Sequence, residues 1–146
     1  MLGRRVLCGS VGRFGPVARH VVRPMVRFSS TLSLERYHEL ADHTMETLLE
    51  GYEALAEDIP EIDCDLSQGV FTLVMPPNGT YVINKQPPNK QIWLSSPLSG
   101  PKRYDWVDGK WTYSRDLSTL GEVLRAETKL LTDSNNCSPV DLTEIQ

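Results

Sequence analysis

Seven carboxylate side chains recur between residues 35 and 57 at a spacing that could hold cations. They lie 4, 3, 4, 4, 3 and 4 residues apart, in the order Glu35, Glu39, Asp42, Glu46, Glu50, Glu53 and Glu57. On an α-helix this spacing confines all seven to an arc of roughly 80° on one face. Further acids follow, and we call the seven together with Asp63 and Asp65 the acidic ridge.

The ridge carries little compensating positive charge, since Arg36 is the single Arg or Lys between residues 35 and 65. Each like-charge pair three or four residues apart costs about 0.2 to 0.5 kcal/mol in an isolated helix. Oxygen ligands suit hard cations, and a row without a converging cage predicts weak, exchangeable binding. The candidate ligands, with one imidazole among them, are Glu39, Asp42, His43, Glu46, Glu50, Glu53, Glu57, Asp63 and Asp65.

These residues alone do not select one divalent cation over another. The alternative interpretation of the ridge is a solvated face that keeps a small protein soluble. His43 on its own is also consistent with an ordinary surface histidine.

A second group of candidate residues surrounds a tryptophan. Ile92 and Leu94 alternate with Trp93, so Trp93 should lie on the sheet face opposite the apolar pair. The same alternation places four polar residues near it, and we call the five together the contact surface: Asn84, Gln86, Gln91, Trp93 and Arg103. An aromatic ring among amides and an arginine has the composition of a protein-binding hot spot. Burial of Trp93 beneath a loop or the tail is the alternative.

The elements that must position these groups can be read from periodicity. Apolar residues recur with a helical period from Leu34 to Ile59, where Thr31 or Ser33 can cap the helix and Pro60 ends it. From residue 62 to residue 114, short β-type segments separated by turn residues predict five or six strands. Asp108-Gly109 predicts a two-residue hairpin, which requires antiparallel neighbours.

A second helix is predicted from about Leu117 to Leu131, with Asp116 or Ser118 near its cap. The order helix, antiparallel strands, helix predicts an α+β fold, a two-layer α-β sandwich with both helices on one face of the sheet and the other face exposed to water. After the second helix, Val140, Leu142 and Ile145 could dock a polar tail of residues 132–146 against the domain.

The first 28 residues are predicted to be a mitochondrial transit peptide, followed by one domain over residues 29–146. Residues 1–34 contain six arginines and no acid, whereas the remaining chain has 9 Lys and Arg against all 19 Asp and Glu.

The acidity of residues 35–146 argues against a basic arm or a single-strand RNA-binding sheet, so we expect no nucleic-acid partner. No apolar run reaches the ~20 residues of a membrane span, so we expect no membrane association after import. Cys64 and Cys137 lack zinc-site spacing.

Two segments resemble the signature region of the frataxin family: TYVINKQ at residues 80–86 and NKQIWLSSPLSGPKRYDW at residues 89–106. With the flanking helices, the resemblance covers about residues 34–131. It implies a protein of the mitochondrial matrix that binds ferrous and ferric iron weakly at the acidic ridge. It also implies docking, through the contact surface, on the complex of a cysteine desulfurase and an iron-sulfur scaffold protein, where sulfur transfer is promoted.

The resemblance leaves two functional classes to compare. One is a non-catalytic regulator and iron chaperone, expected to be a monomer, with iron-dependent oligomers as a variant. The other is a ferroxidase and iron-storage protein that oxidises iron(II) at the ridge, although nothing in the sequence shows Glu-x-x-His pairs on facing helices, as buried di-iron sites require. His43 and Ala54 stand where animal relatives usually carry acids, so the ridge departs from the family pattern at these two positions.

Overall fold

The computed structural model describes residues 32–135, 137–142 and 145. The predicted transit peptide, residues 1–28, lies outside the described residues, as does the alternative helix cap Thr31. Within the described residues, no helix has the length and apolarity that crossing a membrane requires.

The first helix, α1, spans Leu34–Asp58. Its cap is Ser33, whose Oγ accepts a hydrogen bond from the Arg36 N–H at 3.1 Å. Ile59 closes the last turn by donating its N–H to the Leu55 carbonyl at 2.9 Å, and Pro60 follows. One face of α1 is buried, which leaves the face with the acidic ridge in solvent. The predicted helix is therefore confirmed, one residue shorter at its end.

Six antiparallel strands form one sheet in the order β1-β2-β3-β4-β5-β6. They are β1 Asp63–Ser67, β2 Val70–Met75, β3 Gly79–Gln86, β4 Gln91–Ser96, β5 Gly100–Val107 and β6 Lys110–Tyr113. A single turn of 3-10 helix, Pro87–Asn89, joins β3 to β4. At the predicted hairpin between β5 and β6, Asp108 and Gly109 have φ of 50° and 82°, the left-handed geometry of a two-residue turn.

The second helix, α2, spans Leu120–Asn135, so it begins three residues later and ends four residues later than the sequence predicts, and residues 132–135 of the predicted tail are helical. Leu117 lies before the helix with φ of 64° and is 62% exposed, so it is not one of the apolar positions of α2. The helix is capped by Thr119 and Glu122, each of which accepts a hydrogen bond from the N–H of the other, at 3.3 and 2.9 Å. Asp116 instead forms a turn with Ser118, so the predicted cap is wrong.

The hydrophobic core lies between the two helices and one face of the sheet. Its largest fully buried side chains are Trp111, Tyr37, Tyr52, Tyr81, Tyr104 and Phe71. The buried polar atoms link the layers, since Trp111 Nε1 donates to Thr44 Oγ1 of α1 at 2.8 Å. The Tyr52 hydroxyl of α1 is 2.9 Å from Thr128 Oγ1 of α2. This arrangement is the predicted two-layer α-β sandwich.

The tail packs against both helices. Val140, Leu142 and Ile145 are 7%, 1% and 1% exposed. The helices provide space through two glycines: a Cβ at Gly51 of α1 would lie 3.0 Å from Val140 Cγ1, and one at Gly121 of α2 would lie 2.9 Å from the Ile145 carbonyl oxygen. The three apolar residues that the sequence singles out in the tail are therefore buried.

Candidate functional site: an acidic helix and an open sheet face

The structure places the helical part of the acidic ridge on the solvent face of α1. The candidate ligands on this helix are all exposed: Glu39, Asp42, His43, Glu46, Glu50, Glu53 and Glu57. Two of the acids form ion pairs. Arg36 Nη1 contacts Glu39 Oε2 at 2.8 Å, and Lys85 of β3 contacts the Asp42 carboxylate. The ridge is therefore open to solvent along its length, with a fixed cation from the sheet near its N-terminal half.

Strand β1 extends the ridge beyond the helix. Asp63 and Asp65 are exposed and point to the same side of this edge strand, with Cys64 on the opposite side, against the core. Burial raises the pKa of the Cys64 thiol, and the negative charges of Glu53, Asp63 and Asp65 raise it further. The carboxylates of Asp63 and Asp65 in β1 and of Glu53 in α1 thus all act on the Cys64 thiol, which stays protonated at neutral pH.

The ridge does not form a preformed metal cage. Within residues 32–135, 137–142 and 145, no three His, Cys, Asp or Glu side chains converge on a point that could hold an ion. Exposed carboxylate oxygens in a row fit a hard cation that keeps most of its water ligands. The donor set therefore fits a hard divalent cation that is held by one or two carboxylates at a time.

The contact surface lies on the sheet face that the helices leave uncovered. In the strand register, Asn84 of β3 pairs with Trp93 of β4, and Trp93 pairs with Arg103 of β5. One row further along, Gln86 pairs with Gln91. Because directly paired residues share a face, the structure brings all five predicted residues together.

Specific contacts hold Trp93 in a half-buried position. The Arg103 guanidinium lies over the indole ring, 4.5 Å from its centroid. Trp93 Nε1 donates to Gln91 Oε1 at 3.0 Å, and Gln91 Nε2 donates to Asp105 Oδ1 at 2.9 Å. In the neighbouring strand Asn84 Nδ2 donates to Gln86 Oε1 at 3.3 Å. The polar side chains thus orient the ring, which remains partly exposed on the open face of the sheet.

Three residues that the sequence analysis does not select belong to these surfaces. Asp105 completes the hydrogen-bonded chain to Trp93, and Val70, 37% exposed, lies in the same row as Asn84 and Trp93. Lys85 reaches the ridge from the core side of β3. The strand alternation that locates Trp93 also places Asp105 on its face, whereas the pairing of Lys85 with Asp42 joins residues 43 positions apart and leaves no local signal.

Together, the fold and the two surfaces define a small α-β sandwich with an acidic helix and an open sheet face centred on a tryptophan. Comparison with known families agrees: the model of the frataxin-like domain matches residues 30–134. This chain belongs to the frataxin-like family.

Sequence relatives support the same assignment. The mitochondrial frataxin homologue of Saccharomyces cerevisiae is 52% identical over 100 residues, which are 67% of this chain and 58% of the yeast protein. The mitochondrial frataxin of Caenorhabditis elegans is 48% identical over 113 residues, which are 73% of this chain and 83% of the worm protein. The aligned part therefore spans less than two thirds of the yeast relative and most of the worm relative.

Solved structures show the same fold. A crystal structure of trimeric yeast frataxin complexed with ferrous iron has a TM-score of 0.60 and 50% identity, and covers 64% of this chain and 85% of the yeast chain. A second yeast frataxin structure has a TM-score of 0.61 at 44% identity and covers 86% of this chain and 98% of that chain. An iron-bound relative with this architecture therefore exists.

Proposed function

We propose that this chain is a protein of the mitochondrial matrix that binds iron weakly along its acidic ridge and regulates iron-sulfur cluster assembly. It docks on the complex of a cysteine desulfurase and an iron-sulfur scaffold protein through the contact surface, and promotes sulfur transfer and iron delivery there. The observation that carries the proposal is the presence, on one domain, of a solvent-open carboxylate row and a tryptophan-centred sheet face that neither helix covers.

The iron part of the proposal rests on the chemistry of the ridge. Its carboxylates are exposed, so an iron ion can bind without losing its whole hydration shell, and several ions can exchange along the row. The ferrous complex of the yeast relative supports iron as the cation. Iron is cargo in this account, because the ridge holds it loosely and within reach of a partner.

A triple variant, in which amides replace three carboxylates of the acidic ridge, tests the iron part of the proposal. Glu46→Gln, Glu50→Gln and Glu53→Gln keep side-chain size and remove adjacent like charges, so unfolding free energy should be unchanged or rise by about 1 kcal/mol at low salt. Anaerobic titration with Fe(II) should show at least about tenfold weaker binding. Unchanged Fe(II) binding would remove the ridge from the account, and a large loss of stability would make it structural.

The docking part rests on the geometry around Trp93. The ring is oriented by Arg103 and Gln91 in the free protein, so little ordering is needed when a partner covers it. The direct test is the rate of sulfur transfer by a reconstituted desulfurase-scaffold complex, with and without this protein. Stimulation supports a regulator. No change in rate, together with iron uptake by the protein, would favour storage.

The second candidate function is ferroxidase activity with iron storage. The trimeric state of the iron-bound yeast relative favours it, because assembly could bring ridges of several chains together. Within one chain, the row of carboxylates over the described residues offers no place where two irons are held close together. Oxygen consumption during Fe(II) addition, measured against protein-free buffer, distinguishes the two candidates.

A further inference from the structure

Lys85 approaches the acidic ridge from the core side of the sheet. In the strand register it pairs with the buried Ile92, and so shares the sheet face that packs against α1. Its ammonium group forms an ion pair with the Asp42 carboxylate. The Lys85 side chain is 18% exposed, whereas that of Asp42 is 51% exposed. The cation is therefore enclosed, while the carboxylate that it neutralises remains open to solvent.

The path of the Lys85 stem is fixed by the turn between β1 and β2. The Lys85 N–H donates to the Gly69 carbonyl at 3.0 Å. A Cβ at position 69 would lie only 2.8 Å from Lys85 Cε, and Gly69 has φ of +76°, which side chains rarely adopt. The absence of a side chain at Gly69 thus leaves the channel through which the stem runs toward α1.

The other ion pair on the ridge is of a different kind. Arg36 and Glu39 lie three residues apart on α1, with side chains 60% and 64% exposed. Such an exposed pair breaks and re-forms freely in solvent and contributes little to stability. Lys85, in contrast, is delivered to Asp42 by a tertiary contact and has few other positions to occupy.

We propose that Lys85 is a built-in competitor of the metal at Asp42, an inference that rests on the proposed binding of iron to the ridge. In the metal-free protein the ammonium group neutralises the Asp42 carboxylate. A divalent cation that binds there exchanges with it and releases Lys85. Lys85 lies between Asn84 and Gln86, in the strand that carries part of the contact surface. Because a cation must displace the Lys85 ammonium group, the affinity of the ridge for cations at Asp42 is kept low.

The test is anaerobic calorimetric titration of the full chain with Fe(II) alone. Lys85→Met keeps the stem and removes the charge, so the site at Asp42 should bind Fe(II) about three- to tenfold more tightly. Arg36→Met is the matched control, since it makes the same change in net charge on an exposed pair, and its effect should stay within about twofold. In the Asp42→Asn background, Lys85→Met should have no effect.

A second readout does not depend on affinity. Acetylation of Lys85 by acetic anhydride, followed by mass spectrometry, should be slow in the metal-free protein and should increase when Fe(II) is added. Equal effects of Lys85→Met and Arg36→Met, or Lys85 labelling that Fe(II) leaves unchanged, would overturn the inference while the ridge still binds iron. If neither the parent protein nor Lys85→Met binds Fe(II), the inference fails together with the iron part of the proposed function.

Discussion

Single hydrogen bonds decide how Trp93 is presented to solvent. Asp105 accepts from the Gln91 amide nitrogen, which fixes that amide so that its oxygen faces the indole N–H of Trp93. With the N–H satisfied and Arg103 over one side of the ring, the proposed partner would contact the remaining apolar surface of the indole and the guanidinium. Asp105 is therefore a positioning residue for the contact surface.

Two buried tyrosines provide a test of hydrogen bonding at the residue scale. Burial raises the pKa of both the Tyr52 and the Tyr104 hydroxyl. Thr128 donates its own hydrogen to the Leu124 carbonyl at 2.8 Å, so the Tyr52 hydroxyl donates to Thr128. Tyr104 carries the one buried side-chain polar atom that the described part of the chain leaves without a hydrogen-bond partner.

Removing each hydroxyl should therefore change stability in different directions. Tyr52→Phe is expected to lower the free energy of unfolding by about 1 kcal/mol, because a buried hydrogen bond is lost. Tyr104→Phe is expected to leave it unchanged or raise it by about 1 kcal/mol, since a costly buried polar atom is removed. Urea denaturation at neutral pH measures both. A larger loss of unfolding free energy for Tyr104→Phe than for Tyr52→Phe would contradict this assignment of hydrogen bonds to the two tyrosines.

At the scale of single residues, the sequence predicts on which face of the sheet a side chain lies, but not which other side chain it contacts. The side of the sheet on which Trp93 and Arg103 lie follows from the two-residue period of a strand. The Gln91–Asp105 bond could not be predicted, because it depends on the register between β4 and β5. The Lys85–Asp42 pair depends on how α1 crosses the sheet, which local pattern does not specify.

At the scale of elements, the N-terminal end of α2 is capped by residues other than those that its sequence pattern indicates. The hydrogen bond from the Thr119 N–H holds the pKa of the Glu122 carboxyl below its usual value. A carboxyl with a folded-state pKa below its unfolded-state pKa stabilises the fold above the unfolded value, near 4.3. This stabilisation is lost as the pH falls through the folded-state pKa.

The capping pair gives a pH-dependent prediction. Glu122→Gln keeps an oxygen acceptor but does not titrate, so the stability advantage of the parent protein over this variant should shrink between pH 6 and pH 3. Thr119→Ala removes the other half of the cap and should cost about 1 kcal/mol, while the larger part of the pH dependence, which comes from the backbone N–H of residue 119, remains. Urea unfolding at several pH values measures both. A difference between parent and Glu122→Gln that is constant over this range would contradict the prediction.

The accuracy of the helix boundaries follows from the strength of their signals. In α1 the buried positions recur over Leu34–Asp58 and Ser33 is followed by an acidic first turn, so the start could be placed to the residue. Before α2, Asp116 and Ser118 look like a cap because they form a hydrogen-bonded turn of their own. Leu117 could not be recognised as non-helical, since its positive φ is imposed by that turn.

At the scale of the whole molecule, the tail closes the side of the sandwich formed by the two helices. The Ile145 carbonyl oxygen and Val140 occupy the space that Gly121 and Gly51 leave. The strand order and the single sheet follow from the short turns between neighbouring strands and could be predicted. The pairing of the tail with two helical glycines could not, because glycine within a helix indicates only a weaker helix.

Gly121→Ala should therefore have opposite effects with and without the tail. In the full chain the added Cβ collides with the Ile145 carbonyl oxygen, so the free energy of unfolding should fall. In a chain that ends at Cys137, the same substitution should raise it by up to about 1 kcal/mol, because alanine favours the helix. Urea denaturation of four proteins, the full chain and the shortened chain each with Gly121 and with Gly121→Ala, measures both changes in unfolding free energy. The same sign in both chains would show that the tail does not pack on α2.

The separation of the two surfaces is the central claim, and Trp93→Ala tests it most directly. The measurement is the affinity of this variant for the desulfurase-scaffold complex, with urea denaturation and Fe(II) titration on the same preparation. Leu98→Ala is the control, because Leu98 is an exposed apolar residue in the turn after β4, outside the contact surface.

For Trp93→Ala we expect near-parental stability and Fe(II) binding, with docking weakened by at least about 2 kcal/mol, roughly thirtyfold. Leu98→Ala should dock like the parent protein. Docking of Trp93→Ala at parental affinity would show that the partner binds elsewhere, and a collapse of its stability would show that Trp93 belongs to the core.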